Sequence, residues 1–317
     1  MVKNMPQSSS HMEHASIRFE PGTSADSYAV FLVFERAYAD LLPRLGIDEA
    51  TSLADPAALA RIWRTRQPLY DHLAATADQF WVARRGDELL GFSRSIVRDG
   101  LRLLTELFIL PDRQSAGLGR ELLARAMPAH DGPKQHWLLA TNDLRAQALY
   151  LKNGLYPQFP VYYFWREPRD LPPPDSDLDI RIAGSSSATI QAMGAVDAQL
   201  LNHRRDIDHQ WLLTDRQGYL YLRAGQPVGY GYVGHAGGPF ALLDAADYPA
   251  VLVHAEGEMA HLGQTHFGLE VPMVNHQSVD YLLKNSFRIS RFMAQFMGNG
   301  PSARFSNYIM TSPPFIL

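Results

Sequence analysis

The spacing of apolar residues predicts a series of strands and helices in the first half of the chain. Strand segments show short apolar runs bounded by turn sequences, and helical segments show apolar residues three and four positions apart. Arg85-Gly86-Asp87 and Arg98-Asp99-Gly100 are typical turns between antiparallel strands. In chain order, the pattern predicts a strand at 17–19, helices at 24–45 and 56–75, strands at 80–84, 88–97 and 101–110, a helix from 118, a strand at 136–140, a helix at 142–155 and a strand at 161–165.

The same order of elements begins again in the second half. Residues 179–182 mirror residues 16–19, and residues 281–287 can be laid over 149–155. Asn275 precedes the later copy as Asn142 precedes the earlier one. The second half is predicted to contain a strand at 179–182, a helix at 187–201, and strands at 219–224, 228–233 and 267–271.

A proline-rich segment separates the two halves. Pro172, Pro173 and Pro174 are consecutive, which favours extended backbone and excludes helix or central strand. The prediction is therefore an α/β protein of four parts, namely a disordered tail at 1–14, a first unit at 15–167, a linker at 168–178 and a second unit at 179–317.

The change from strand to helix around residue 114 carries the clearest chemical signal. The apolar run that ends at Leu110 is followed by Gln114-Ser115-Ala116-Gly117-Leu118-Gly119, and then by the helix. A helix N-terminus presents free N–H groups and the positive end of the helix dipole, and glycines let an anion approach the backbone. The segment 114–120 is thus predicted to bind a phosphate or pyrophosphate. Simple turn chemistry is the alternative, and the spacing fits neither a Walker loop nor a dinucleotide fingerprint.

This segment resembles the (Gln/Arg)-x-x-Gly-x-(Gly/Ala) pyrophosphate loop of the GNAT superfamily of acyl-CoA-dependent N-acyltransferases. A later family motif, Asn, then Ala, then Leu-Tyr-x-x-x-Gly-Phe, is matched by Ala146, Leu149-Tyr150 and Gly154, with Leu155 in place of Phe. Asn142 lies one residue further upstream than usual, so Asp143 is the alternative occupant of the first position.

The resemblance implies two tandem GNAT-like folds, of which the second is degenerate. Where the second glycine loop is expected, residues 242–249 contain no glycine pair, and Asp244 and Asp247 would repel a pyrophosphate. We expect this half to form a wall of the substrate cleft or a packing partner for the first.

The resemblance also implies a cosubstrate, acetyl-CoA, and its contacts. The backbone at 108–110 would lie along the pantetheine arm, and 114–120 would hold the pyrophosphate. The implied contacts are Phe108, Ile109, Leu110, Gln114, Ser115, Ala116, Gly117, Leu118, Gly119, Arg120, Asn142, Ala146 and Tyr150.

N-acylation needs a base for the attacking ammonium and an acid for the departing thiolate. Tyr150 is the candidate acid, by its match to the family's Tyr beside the sulfur; an ordinary core-facing tyrosine is the alternative. Glu106 is the candidate base, acting through a water, and burial would raise its pKa toward a useful range. A strand-edge glutamate that faces solvent is the alternative for Glu106.

Composition narrows the class of partner. The 317 residues carry a formal charge of −4 and no cysteine, which predicts a cytoplasmic protein without nucleic acid or membrane partners. Metal binding is not expected, because the histidines lack the helical pair with a glutamate that is typical of a zinc site. The polar segment 202–209 is interpreted as a solvated loop, with a place in the lining of the substrate cleft as the alternative. The aromatic residues at 162–165 are interpreted as core, with ligand contact as the alternative.

The predicted function is transfer of an acetyl or short acyl group from coenzyme A to an amine of a small molecule, peptide or protein. A non-catalytic acyl-CoA-binding or regulatory module is the alternative, and a pure interaction protein is a third hypothesis. Homo-oligomerisation is left open.

Overall fold

The computed structural model describes residues 16–47, 52–114, 117–128, 132–300 and 303–317. Ser115, Ala116 and the predicted tail at 1–14 lie outside these described residues. The elements of the first half are, in chain order, β1 (Arg18–Pro21), α1 (Ser27–Arg44), α2 (Pro56–Thr76), β2 (Gln79–Arg85), β3 (Glu88–Arg98), β4 (Leu101–Ile109), α3 (Leu118–Ala126), β5 (Gln135–Thr141), α4 (Leu144–Lys152) and β6 (Tyr156–Arg166).

The second half repeats this order of strands and helices and adds one short strand. Its elements are β7 (Asp179–Ala183), α5 (Ser187–Leu201), α6 (Asp206–Asp215), β8 (Gln217–Arg223), β9 (Gln226–Val233), β10 (Phe240–Leu242), α7 (Tyr248–His261), β11 (Phe267–Pro272), α8 (His276–Lys284), β12 (Arg288–Gly298) and β13 (Tyr308–Ile309).

The helices α2, α4, α5 and α8 follow residues whose side chains accept hydrogen bonds from free backbone donors. Asp55 accepts a hydrogen bond from the Ala57 amide at 2.9 Å at the start of α2, where Pro56 occupies the first helical position. Ser186 caps α5 by accepting from the Thr189 amide at 3.2 Å. These caps explain why both helices start where the sequence predicted.

The two halves share one sheet. Its strand order is β1-β2-β3-β4-β5-β12-β6-β11, and a second sheet has the order β13-β10-β9-β8-β7. Strand β12, from the second half, lies between β5 and β6 and pairs with both, and β6 then pairs with β11. The predicted strand at 161–165 therefore does not lie beside β5, because a strand from the other half occupies that place.

One hydrophobic core also joins the halves. It contains Phe34 and Leu69 from the first half together with Tyr230 and Phe305 from the second. Phe315 from the C-terminal segment packs edge-on against Phe34 at 5.6 Å between ring centroids. The helices α1 and α2 are thus held against the second half by apolar contact as well as by the shared sheet.

The polar segment at 202–209 is not a solvated loop, which corrects the interpretation of the sequence. Arg205, Asp208 and His209 are buried, and α6 begins at Asp206. Asp208 accepts from Arg98 of β3 and pairs with His72 of α2, each at 2.8 Å. These polar groups are buried because partners distant in the sequence satisfy them.

Candidate active site

A cavity of about 1460 Å³ lies between the two halves. Its walls come from α1, α2, the ends of β4 and β5, and strands β12, β6 and β11 of the shared sheet. The segments 235–237 and 312–315 of the second half close another side. The cavity is large enough for a cosubstrate and a second molecule, since drug-sized sites span roughly 300–1,000 Å³.

The strands β4 and β5 separate at the cavity. They pair in parallel only from Leu101 to Leu104, opposite Gln135 to Leu138. Beyond that point β4 stays paired with β3, and the Leu110 amide donates to the Leu90 carbonyl at 2.8 Å. Because bonding directions alternate along an antiparallel pair, the N–H groups of Leu107 and Ile109 point toward the opening that β5 has left.

A β-bulge at Thr105 sets the direction of Glu106. Arg94 is opposite Glu106 and Ser95 is opposite Leu104, so Thr105 is the extra residue on β4. The Thr105 hydroxyl donates to the Arg94 carbonyl at 3.1 Å. Side chains along a regular strand alternate between the two faces of the sheet, so without the bulge Glu106 would lie on the same face as Leu104. Because Thr105 is an extra residue, the Glu106 side chain lies instead on the face that carries Leu103 and packs against α1 and α2.

The glycine-bearing loop has the backbone that anion binding requires. Gly117 caps α3 with a left-handed φ of 84°, which favours glycine. Leu118 and Gly119 are the first two residues of α3, where N–H groups have no partner within the helix. The Gln114 side chain donates to the Ile109 carbonyl at 3.3 Å and holds the loop against β4. Gly117, Gly119 and Gln114 all line the cavity.

Asp143 and three arginines form the rim near this loop. Asp143 caps α4 by accepting from the Arg145 amide at 2.9 Å, and it forms ion pairs with Arg44 at 2.9 Å and Arg145 at 3.0 Å. Burial alone would raise the pKa of Asp143, but the hydrogen bonds from Arg145 and Arg44 outweigh it and lower the pKa to about 2. Arg120 is exposed and also lines the cavity. The rim therefore presents cationic side chains beside the free amides.

Tyr150 lies on α4 with 6% of its surface exposed, and it lines the cavity. It packs with Leu104, Leu123 and Leu138. Burial raises the pKa of the phenol above its ordinary value, and the charge of Asp143 acts in the same direction. The hydroxyl stays protonated at neutral pH and is available as a donor.

Glu106 is buried and paired, so it is not a solvent-facing strand-edge residue. Its Oε2 lies 3.1 Å from Nε of Arg94, and neither side chain is exposed. Burial raises the pKa of Glu106, against the opposing charge of Arg94. Among the described residues, its Oε1 has no hydrogen-bond partner.

Most predicted site residues meet at the cavity, and three do not line it. Leu110 and Leu118 are each 4% exposed, with side chains in apolar clusters, so they can contribute only backbone. Among the described residues, Asp143 and not Asn142 lines the wall. The predicted residues that line the cavity are Glu106, Phe108, Ile109, Gln114, Gly117, Gly119, Arg120, Ala146 and Tyr150.

Sequence reasoning missed the contribution of β6 and β11. Tyr163, Trp165 and Glu270 line the cavity, which corrects the interpretation of the aromatic run as core; Phe164, between the two aromatics, is fully buried. The sequence signal for this was the alternation of side chains along β6, which places Tyr163 and Trp165 on one face of the sheet and Phe164 on the other. Burial raises the pKa of Glu270 to about 8.

In the second half, two aspartates stand at the position that corresponds to the glycine loop, and their side chains already have partners. Asp244 accepts from the Ala246 amide at 2.9 Å, and Asp247 pairs with Arg223 at 2.7 Å. These carboxylates satisfy the amide and the cation that a phosphate would otherwise use.

The sequence model of the acetyltransferase (GNAT) domain matches residues 76–154, which contain β4, the loop, β5 and α4. These residues therefore form a GNAT acetyltransferase domain within the first half of the chain. This domain makes the protein an acyl-CoA-dependent N-acyltransferase. A search of curated proteins finds no match.

Solved structures share the tandem GNAT fold over nearly the whole chain. A putative acetyltransferase from Pyrococcus horikoshii is 13% identical with a TM-score of 0.66, and the match covers 96% of this chain and 97% of that one. A tandem GNAT protein from the clavulanic acid biosynthesis pathway is 15% identical with a TM-score of 0.57, covering 90% and 100%. A GCN5-related N-acetyltransferase from Sphaerobacter thermophilus is 13% identical with a TM-score of 0.58, covering 90% and 96%. At these identities the likeness shows the fold.

The described residues also bear on the predictions about membranes and metal ions. No helix there combines the length and hydropathy that crossing a bilayer requires. The same residues include no group of three or more His, Asp or Glu side chains placed to hold a metal ion.

Proposed function

We propose that this protein transfers an acetyl or short acyl group from acetyl-CoA to a primary amine by direct attack in the cavity between its halves. The observation that carries the proposal is the opening between β4 and β5, which ends at the glycine loop of α3. A diphosphate at Gly117–Arg120 would place the pantetheine arm in this opening.

Backbone and side-chain groups of the cavity wall can stabilise the negative charges that form during the reaction. As the amine attacks the thioester, its carbonyl oxygen gains negative charge, which the N–H of Leu107 or Ile109 can stabilise. The C–S bond then breaks, and the Tyr150 hydroxyl gives its proton to the departing thiolate, while the nitrogen of the intermediate loses a proton that restores the hydroxyl. Burial raises the pKa of Tyr150, which keeps the hydroxyl protonated at neutral pH but opposes the transfer of its proton to the thiolate.

Glu106 is our proposed proton acceptor, reached through a water molecule. The support is its place on β4 beside the opening and the raised pKa that burial produces. Its ion pair with Arg94 opposes the role, because the guanidinium stabilises the charged carboxylate. Glu106→Gln therefore tests the base by its effect on the pH profile. If Glu106 is the base, kcat/KM in the variant loses the acidic limb that the wild type shows.

The functional units of the proposal follow the internal repeat. The catalytic unit spans residues 15–167, residues 168–178 form a linker, and residues 179–317 form the degenerate copy, which supplies cavity wall. The first half carries the glycine loop and Tyr150, whereas the second has Asp244 and Asp247 at the equivalent loop.

Titration with acetyl-CoA, followed by thiol release across an amine library, tests the function. We expect binding in calorimetry, and release of coenzyme A that depends on the amine. A thioester that is bound but never consumed with any amine would favour the acyl-CoA-binding module. Failure of coenzyme A to raise the melting temperature would point to an interaction protein instead.

A further inference from the structure

At the far end of the cavity lies a carboxylate that pairs with no cation of the described residues. Glu270 lies on β11, in the part of the wall that is most distant along the sheet from β4. In the described part of the chain, no arginine, lysine or histidine forms an ion pair with it, and burial is the one influence that acts on its pKa. An ionised carboxylate in such a place is costly unless a cation joins it.

Four other carboxylates of the cavity wall form ion pairs. Their partners are arginines, at distances of 2.9 to 3.9 Å, in the pairs Glu106–Arg94, Asp143–Arg44, Asp215–Arg216 and Asp55–Arg61. Glu270 differs from these four carboxylates because no cation among the described residues pairs with it, so a bound cation would favour its ionised form.

Tyr163 forms the floor next to Glu270. The two residues are opposite each other on β6 and β11, and the Tyr163 hydroxyl is hydrogen-bonded to Nε2 of His266 at 2.7 Å. A Cβ at Gly268 would lie 1.7 Å from that hydroxyl, so the glycine lets the ring lie against β11. An aromatic ring beside a carboxylate is a favourable site for an ammonium or guanidinium group.

The sheet sets the distance between Glu270 and the thioester. An acyl group bound in the opening would lie beside β5, and the order β5-β12-β6-β11 puts three strand spacings between that point and Glu270. With neighbouring strands about 4.8 Å apart, this separation is roughly 14 Å. The wall between the two points is mainly apolar and includes Phe34, Phe292, Ala294 and Phe315.

We propose that Glu270 is a distal cation subsite, which selects acceptors with a second cationic group at the far end of an apolar spacer. The inference rests on the proposed acyl transfer, because the reactive amine must lie at the β4–β5 opening. Arg66 adds a restriction. It lines the cavity, and its Nη1 has no hydrogen-bond partner among the described residues, so it disfavours further positive charge along the spacer.

A length series of α,ω-diamines tests the subsite. Each diamine is compared with the n-alkylamine of the same length, and kcat/KM is measured by thiol release. We expect at least a tenfold preference for the diamine at about eight to twelve carbons, where the second ammonium reaches Glu270, and no preference at three carbons. Spermine, with internal charges, should be a poorer acceptor than the diamine of matching length.

Glu270→Gln should reduce the diamine preference at least fivefold, and Glu270→Asp should shift the preferred length upward. Asp280→Asn removes an exposed charge on α8 and should leave both rates unchanged. An absence of diamine preference at every length, or a preference that survives in Glu270→Gln, would overturn the subsite.

The kinetic results also show whether the cation subsite alone is wrong or whether the proposed transferase function is wrong as well. Turnover of alkylamines without diamine preference would overturn the subsite alone. If no amine is turned over, calorimetric titration of the wild type with 1,10-diaminodecane and with n-decylamine decides. Equal binding of the two amines then overturns the subsite, whereas at least tenfold tighter binding of the diamine supports it.

Discussion

At the residue scale, burial fixes which polar groups of the cleft can exchange protons. Tyr150→Phe keeps the ring among Leu104 and Leu138 and removes only the hydroxyl. We expect kcat to fall by tenfold or more, because a positioned acid contributes roughly 10²–10⁴, while KM for acetyl-CoA changes little. Tyr156→Phe is the control, since Tyr156 is 60% exposed. Steady-state kinetics that show a loss below tenfold would remove Tyr150 from the acid role.

Burial of Glu270 predicts a dependence of stability on pH. Its pKa is about 8 in the folded protein and about 4.3 in an unfolded chain, so between these values the folded state holds a proton that the unfolded state has lost. Stability therefore falls as pH rises through this window and levels off above it. Relative to wild type, the Tm of Glu270→Gln should rise between about pH 5.5 and pH 8.5. A Tm difference that stays constant would contradict the prediction, and Asp280→Asn provides the control.

At the scale of elements, a glycine substitution in the loop before α3 can distinguish the effect of backbone strain from the effect on ligand binding. Gly117 and Gly263 have φ of 84° and 67°, and a Cβ built on either would meet no atom within 4 Å. Alanine at either position should cost a similar stability, about 1–2 kcal/mol. Only Gly117→Ala should weaken acetyl-CoA binding, by about tenfold, because only Gly117 caps the helix that faces the opening. Calorimetry on both variants checks this, and equal binding losses would contradict it.

The spacing of apolar residues and the capping residues correctly predicted the helices that are stabilised by neighbours close in the sequence. The helix at 187–201 is observed as α5 (Ser187–Leu201), and α3 begins at Leu118 as expected. The helix α6 was missed because Asp208, on its buried face, is paired with Arg98 and His72, which are more than 100 residues away in the sequence. Glu270 was missed for a related reason, since only pairing between β6 and β11 brings it to the cavity.

At the scale of the whole molecule, a buried ion pair fastens the two halves. Asp208 of α6 receives hydrogen bonds from Arg98 and His72, which outweigh burial and lower its pKa to about 2. Asp208→Asn leaves the Arg98 charge in the interior without a counter-ion, so unfolding in urea should show a loss of about 3–5 kcal/mol. Asp280→Asn should change stability by less than about 0.5 kcal/mol. If Asp208→Asn lost no more stability than Asp280→Asn, the ion pair would not hold the two halves together.

The shared strand predicts that neither half folds alone. Without β12, a chain of residues 16–167 leaves the edges of β5 and β6 unpaired and exposes Trp137 and Phe159, which pack on Phe296. Expressed separately, each half should aggregate or lack a cooperative transition, whereas co-expression with residues 168–317 should give a complex that binds acetyl-CoA. Co-purification through a tag on one half measures this. If residues 16–167 alone unfolded cooperatively and bound acetyl-CoA, β12 would be an addition to a self-sufficient fold, and the cavity wall that includes Glu270 would be dispensable for the cosubstrate.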